Sequence, residues 1–114
     1  MYREISAMEF KEKFLNNFDT LELIDVREKS EFEQIKIKNS KLIPIGELKN
    51  KINEIDWSKE VIFICRTGSR SAYVTRILNE NGYNSINLAG GINIVRLNCE
   101  ECISQGQLNS KYFE

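Results

Sequence analysis

The chain has 114 residues, 16 Lys and Arg against 17 Asp and Glu, a net charge of −1, 41% hydrophobic residues and no histidine. That length fits one domain, which buries between about 60% and 70% of its unfolded surface. The balanced charge leaves no overall field to attract nucleic acid or an anionic membrane, no apolar run approaches the roughly 20 residues that span a bilayer, and a Cys–His dyad is impossible. The N-terminus, Met-Tyr-Arg-Glu-Ile-Ser, has no apolar signal region, so a soluble, cytoplasmic protein is expected. Three cysteines cannot all pair internally, and in that setting they are expected to stay reduced.

A short strand is predicted around Tyr2–Ile5, because Ser6 and Glu9 then form a capping box and Ile5 with Phe10 a hydrophobic staple that start a helix at Ala7. Phe10 and Phe14 fall at helical spacing and belong to the core. The run 16–19 closes this helix. Leu21–Val26 reads as a second strand, and Ser30 with Glu33 makes a capping box for a short helix around 30–35. Leu42–Ile45 is a third extended segment, followed by a helix carrying Leu48, Ile52 and Ile55 at positions i, i+4 and i+7.

Val61–Cys65 is apolar without alternation, the pattern of a central strand covered on both faces of a parallel sheet. The helix after it runs to about Asn81, with Gly82 as its stop, and Ile86–Leu88 supplies the last strand. Strands separated by helical segments argue for an open α/β sheet whose strand C-termini share one edge, where ligands bind. Asp25-Val26-Arg27 and the segment after Cys65 both leave strands at that edge. Residues 1–95 make the domain, and 96–114 read as a polar C-terminal extension packed on or trailing from the same domain.

Cys65 is delivered by a strand into the turn Arg66-Thr67-Gly68-Ser69-Arg70-Ser71, which opens a helix. Loop N–H groups, the positive helix end and the two arginines all favour a thiolate and any anion brought to it. Gly68 permits a backbone conformation that aims amides inward. Arg66 and Arg70 are expected to pair with the oxygens of such an anion through charge-assisted bonds, Thr67 and Ser69 to donate hydroxyl hydrogen bonds to it, and Ser71 to cap the helix.

With these residues in view, the chain resembles a single-domain rhodanese, a thiosulfate-type sulfurtransferase module. The resemblance rests on Leu23-Ile-Asp-Val-Arg27 followed by Glu31-Phe32, on Ile43-Pro44, on Cys65-Arg-Thr-Gly-Ser-Arg-Ser71 and on Leu88-Ala-Gly-Gly-Ile92. It implies an open parallel sheet flanked by helices on both faces. It also implies a Cys65 persulfide that carries sulfane sulfur from thiosulfate or a polysulfide or persulfide donor to a thiol or cyanide acceptor. Arg66 to Arg70 would form the anion cradle, with Asp25 and Arg27 supporting it. No cofactor or metal is called for, and the partners are a small sulfur-containing anion and a thiol or protein acceptor, with no nucleic acid or membrane.

The chain departs from the family pattern at three places. Ile35-Lys36-Ile37 stands where the family commonly has Gly-His-Ile, Val95 stands near the place of a frequent tryptophan, and Cys99-Glu-Glu-Cys102 has no counterpart. A zinc site at the last needs four ligands and lacks them, leaving a redox or sulfur-relay role or two surface thiols. Two other functions compete. A phosphatase or arsenate reductase of related fold needs a wider loop, and only four residues separate Cys65 from Arg70, one fewer than in the loops of those relatives. A non-enzymatic module that binds a partner or senses persulfides is weakened by the intact cysteine and arginines.

Overall fold

The computed structural model describes residues 1–105. Five parallel strands form the central sheet: β1 (Glu4–Ile5), β2 (Leu21–Asp25), β4 (Lys41–Leu42), β5 (Glu60–Ile64) and β6 (Ser85–Leu88), in the spatial order β1-β6-β5-β2-β4. The crossovers are α1 (Ala7–Asn17), α2 (Lys29–Gln34), α3 (Ile45–Lys51) and α4 (Ser69–Glu80), and α5 (Gly91–Asn98) follows the last strand of the sheet. A separate antiparallel pair joins β3 (Ile35–Ile37) to β7 (Ile103–Gln105).

Period-two alternation explains how the sheet is covered on both faces. Leu23, Ile62, Ile64 and Leu88 point to one side, where Phe10 and Phe14 of α1 and Ile92 and Val95 of α5 pack on them. Ile24, Val61, Phe63 and Cys65 point to the other, against Leu48 of α3 and Val74 and Leu78 of α4. The expected α/β architecture is therefore present. The predicted Ser6/Glu9 capping box is formed, with the Glu9 amide donating to the Ser6 hydroxyl at 3.1 Å and the Ser6 amide to the Glu9 carboxylate at 3.0 Å.

Three local expectations are corrected. The helix assigned to a Ser30/Glu33 box starts one residue earlier, at Lys29, and it is Glu31 that reaches back to the Glu28 N–H at 3.0 Å. Both pairs have the same spacing, so the pattern alone does not choose between them. The extended segment at 42–45 is cut short because Pro44 stands at the N-cap of α3 and Ile45 is already helical. Proline's fixed φ suits a helix entry and removes a donor from a strand.

The third correction concerns the cysteines. Cys99 and Cys102 form a disulfide, and neither is a surface residue, at 1% and 0% exposure. Val95 and Cys99 lie one helical turn apart on the face of α5 that meets α1, so the segment from Arg96 to Gln105 is anchored by the core and by β7. Its polar average concealed that apolar spacing. Residues 106–114 of the expected extension lie outside the described residues.

Candidate active site

The site stands where β2 and β5 end side by side, with Asp25 paired to Ile64 in register and the Val26 N–H donating to the Ile64 carbonyl at 2.9 Å. The chain leaves β5 through Cys65 and turns into α4. Gly68, at φ +96°, makes that turn, a left-handed conformation that costs a residue with a Cβ. A Cβ there would also meet the Gly90 backbone nitrogen at 2.9 Å.

The turn brings three donors to one sulfur. The Gly68 N–H lies 3.1 Å from Cys65 Sγ, the Ser71 hydroxyl 3.3 Å and the Ser71 N–H 3.4 Å. Burial pushes the Cys65 thiol up, but the Ser71 hydroxyl and amide and the Gly68 and Thr67 amides outweigh it and hold the thiol below its ordinary range. Hydrogen bonds to the charged form win over desolvation here. Ser71 is therefore not the helix cap. Gly68 occupies the N-cap, and Ser71, fully buried, turns its hydroxyl onto the sulfur.

A second glycine holds the loop from behind. Gly91, at φ +61°, opens α5 directly against the Cys65 loop, where a Cβ would lie 2.4 Å from the Cys65 carbonyl oxygen and 2.5 Å from that of Arg66. The next two amides of α5 donate to those same carbonyls, Ile92 to Cys65 at 3.0 Å and Asn93 to Arg66 at 3.1 Å. Gly91 is a residue that sequence reasoning had placed in a motif without a task. Its signal was the Gly-Gly pair at a strand-to-helix junction, which marks a close backbone approach.

Both loop arginines face a carboxylate. Arg70 does not extend freely over the loop: its Nη1 and Nη2 donate to the two carboxylate oxygens of Glu31 at 3.0 Å each. Arg66 Nη2 lies 3.6 Å from the same carboxylate. The Arg70 fork, with smaller contributions from the Glu28 amide and from Arg27, lowers the Glu31 carboxyl to about 2. In the sequence Glu31 stands only inside a motif, and its pairing with Arg70 spans 39 residues, a separation at which local patterns are silent. Thr67 and Ser69 are exposed, their hydroxyls 3.3 Å apart.

Asp25 and Arg27 form a buried ion pair beside this cluster. Arg27 Nε and Nη2 donate to the Asp25 carboxylate at 3.0 and 2.9 Å, and Nη2 also reaches the Ile35 carbonyl at 2.6 Å. With both side chains essentially fully buried, each charge needs the other, and removing one would leave the partner uncompensated. The pair therefore fixes the β2 exit and ties it to β3. A cleft of about 310 Å³ opens beside the loop, with Arg27, Glu31, Arg66, Ile92, Asn93 and Arg96 in its walls.

Residues 6–96 match the model of the rhodanese-like domain. The chain is 39% identical over 90 residues to "Putative sulfurtransferase YtwF" of Bacillus subtilis, covering 79% of this chain and 86% of that protein. It is 34% identical over 83 residues to "Putative sulfur carrier protein YrkF" of the same organism, covering 73% of this chain but only 44% of that one. Among solved structures, a rhodanese-related protein from Thermoplasma volcanium superposes with a TM-score of 0.75 at 33% identity, over 86% of this chain and 94% of that one. The match to the rhodanese-like domain over residues 6–96, together with the similarity to the full-length sulfurtransferase relative and the superposing structure, makes this chain a member of the rhodanese-like sulfurtransferase family.

Proposed function

We propose that this protein carries sulfane sulfur on Cys65, receiving it as a persulfide from a sulfur-containing anion and passing it to a thiol acceptor. The observation that carries this reading is the convergence of the Gly68 and Ser71 amides and the Ser71 hydroxyl on Cys65 Sγ. Those donors stabilise a thiolate without a base, which a chain lacking histidine requires. The Cys65 thiolate attacks the outer sulfur of the donor, the donor's S–S bond breaks, and sulfite or a thiolate leaves with the bonding pair. An acceptor thiolate, or cyanide, then takes the outer sulfur and returns Cys65 as a thiolate. Neither half-reaction changes the overall count of electrons. A cytoplasmic setting, where acceptor thiols are kept reduced, suits this chemistry.

Intact mass after incubation with cysteine persulfide or thiosulfate tests the reading. The expected result is the gain of one sulfur atom, localised to Cys65 and removed by added thiol, with none gained by Cys65→Ser. Loading of Cys65→Ser equal to wild type would overturn it. A phosphate ester included as a third substrate should be left intact, because the four-residue loop between Cys65 and Arg70 leaves too small a ring of amides for a phosphoryl group.

A further inference from the structure

The cradle around Cys65 Sγ is built from neutral donors, whereas both loop guanidiniums are turned toward a carboxylate. Glu31 accepts from the Arg70 fork at 3.0 Å twice, lies 3.6 Å from Arg66 and accepts from the Glu28 N–H at 3.0 Å. It is thus held from three sides, with a side chain only 17% exposed. Two positive charges at the loop are opposed by Glu31 and, once ionised, by the Cys65 thiolate. The neighbouring Arg27 is matched by Asp25, which leaves Arg96 as the remaining guanidinium of the cleft walls.

From this geometry we infer that Glu31 is a donor-specificity residue, which turns the site away from divalent oxyanions such as thiosulfate and toward small alkyl persulfides. The inference rests on the sulfur-transfer reading above and names the donor class for it. Thiosulfate arrives with two negative charges and must expel sulfite, which carries both away. Stabilising that departure calls for a guanidinium free to form a bidentate contact, and Arg70 is free only if its bonds to Glu31 are exchanged for bonds to the donor. An alkyl persulfide makes no such demand. The Cys65 thiolate attacks the outer sulfur of R–S–SH, the S–S bond breaks, and R–S⁻ leaves with a single charge, giving Cys65–S–SH with charge and sulfur conserved. Glu31 and Arg66 both stand in the walls of the cleft of about 310 Å³ beside the loop, where an approaching donor meets the carboxylate.

The test measures kcat/KM for thiosulfate and for cysteine persulfide in wild type, Glu31→Gln and the double variant Glu31→Gln/Arg70→Gln, at low ionic strength. Wild type is expected to favour cysteine persulfide by at least about tenfold. Glu31→Gln keeps the side chain's shape and removes its charge, so the thiosulfate-to-persulfide ratio should rise about tenfold, and the gain should shrink as salt is added. Restoring charge balance in the double variant should cancel the gain. A purely structural role for Glu31 would depress both donors together and leave the ratio where it was, which would overturn the inference. A gain that survives loss of Arg70 would overturn it as well. Wild-type preference for thiosulfate does the same without any variant having to fold. Failure of the wild type to load sulfur from either donor would instead sink the sulfur-transfer reading itself.

Discussion

Replacing Ser71 with alanine removes one oxygen from the molecule's interior and little else, and so isolates what the cradle contributes to the nucleophile. The hydroxyl lies 3.3 Å from Cys65 Sγ, while the Ser71 and Gly68 amides at 3.4 and 3.1 Å remain. A hydrogen bond to a charged group is worth about 1.5–3 kcal/mol, and the contact to a large, diffuse sulfur belongs at the lower end. A loss of about 1.4 kcal/mol is tenfold in an equilibrium, so the thiolate fraction of Ser71→Ala at neutral pH should fall about tenfold. The rate of alkylation by iodoacetamide, followed from pH 5 to 10, reads that fraction directly, and its midpoint should move toward that of an ordinary thiol. Sulfur loading from a persulfide donor should slow by a similar factor, with the thermal midpoint little changed. An alkylation profile superimposable on wild type would refute the argument, because the amides alone would then account for the thiolate.

Gly91→Ala should be severe. Its Cβ would sit 2.4 Å from a backbone carbonyl oxygen at a φ of +61°, and strain plus displacement of the loop should cost about 3 kcal/mol or more by denaturant titration, whereas Gly46→Ala, with nothing within 4 Å, should be near neutral. Acid should weaken the fold through Glu31. Its folded value of about 2 lies below the ordinary 4.5, so its contribution is complete above about pH 4.5 and is lost as pH falls toward 2. Allowing for solvent screening at this partly exposed pair, that contribution is on the order of 1 kcal/mol, and a Glu31→Gln variant should show a correspondingly flatter stability profile over that window.

The elements easiest to read were those whose own residues state both a period and a boundary. The Ser6/Glu9 box with Phe10 and Phe14, and the uninterrupted Val61–Cys65 run before a glycine turn, each carried local and packing signals that agreed. Boundaries failed where two local signals competed, as with Ser30/Glu33 against Glu28/Glu31, or where one residue served two readings, as with Pro44. At the site, the cysteine and its glycine were legible because they are neighbours in sequence. Arg70 was legible as a charge but not as a partner of Glu31. The role of Ser71 is hidden by the habit of serine at helix starts, since a hydroxyl three residues past the N-cap Gly68 points inward instead of capping. Cys99 and Cys102 are hidden by the polar residues around them, while their burial is decided by the core that they join, just past the end of α5, with residues of α1 and α5.

The contact between α5 and the Cys65 loop sets the polarity of the cradle. In a trans peptide the carbonyl and the following N–H point in opposite directions. The Arg66 carbonyl is drawn outward by the Asn93 amide, so the Thr67 N–H of the same peptide plane is driven toward Cys65, the sulfur it helps to stabilise. A carbonyl that accepts a hydrogen bond also makes its own peptide a better donor. The first amides of α5 are thus spent on the back of the loop, and the helix acts on the sulfur at one remove, as a mould that turns a flexible turn into a fixed array of dipoles. A rotation of α5 would therefore reach the sulfur through the Cys65 and Arg66 carbonyls that its first amides hold.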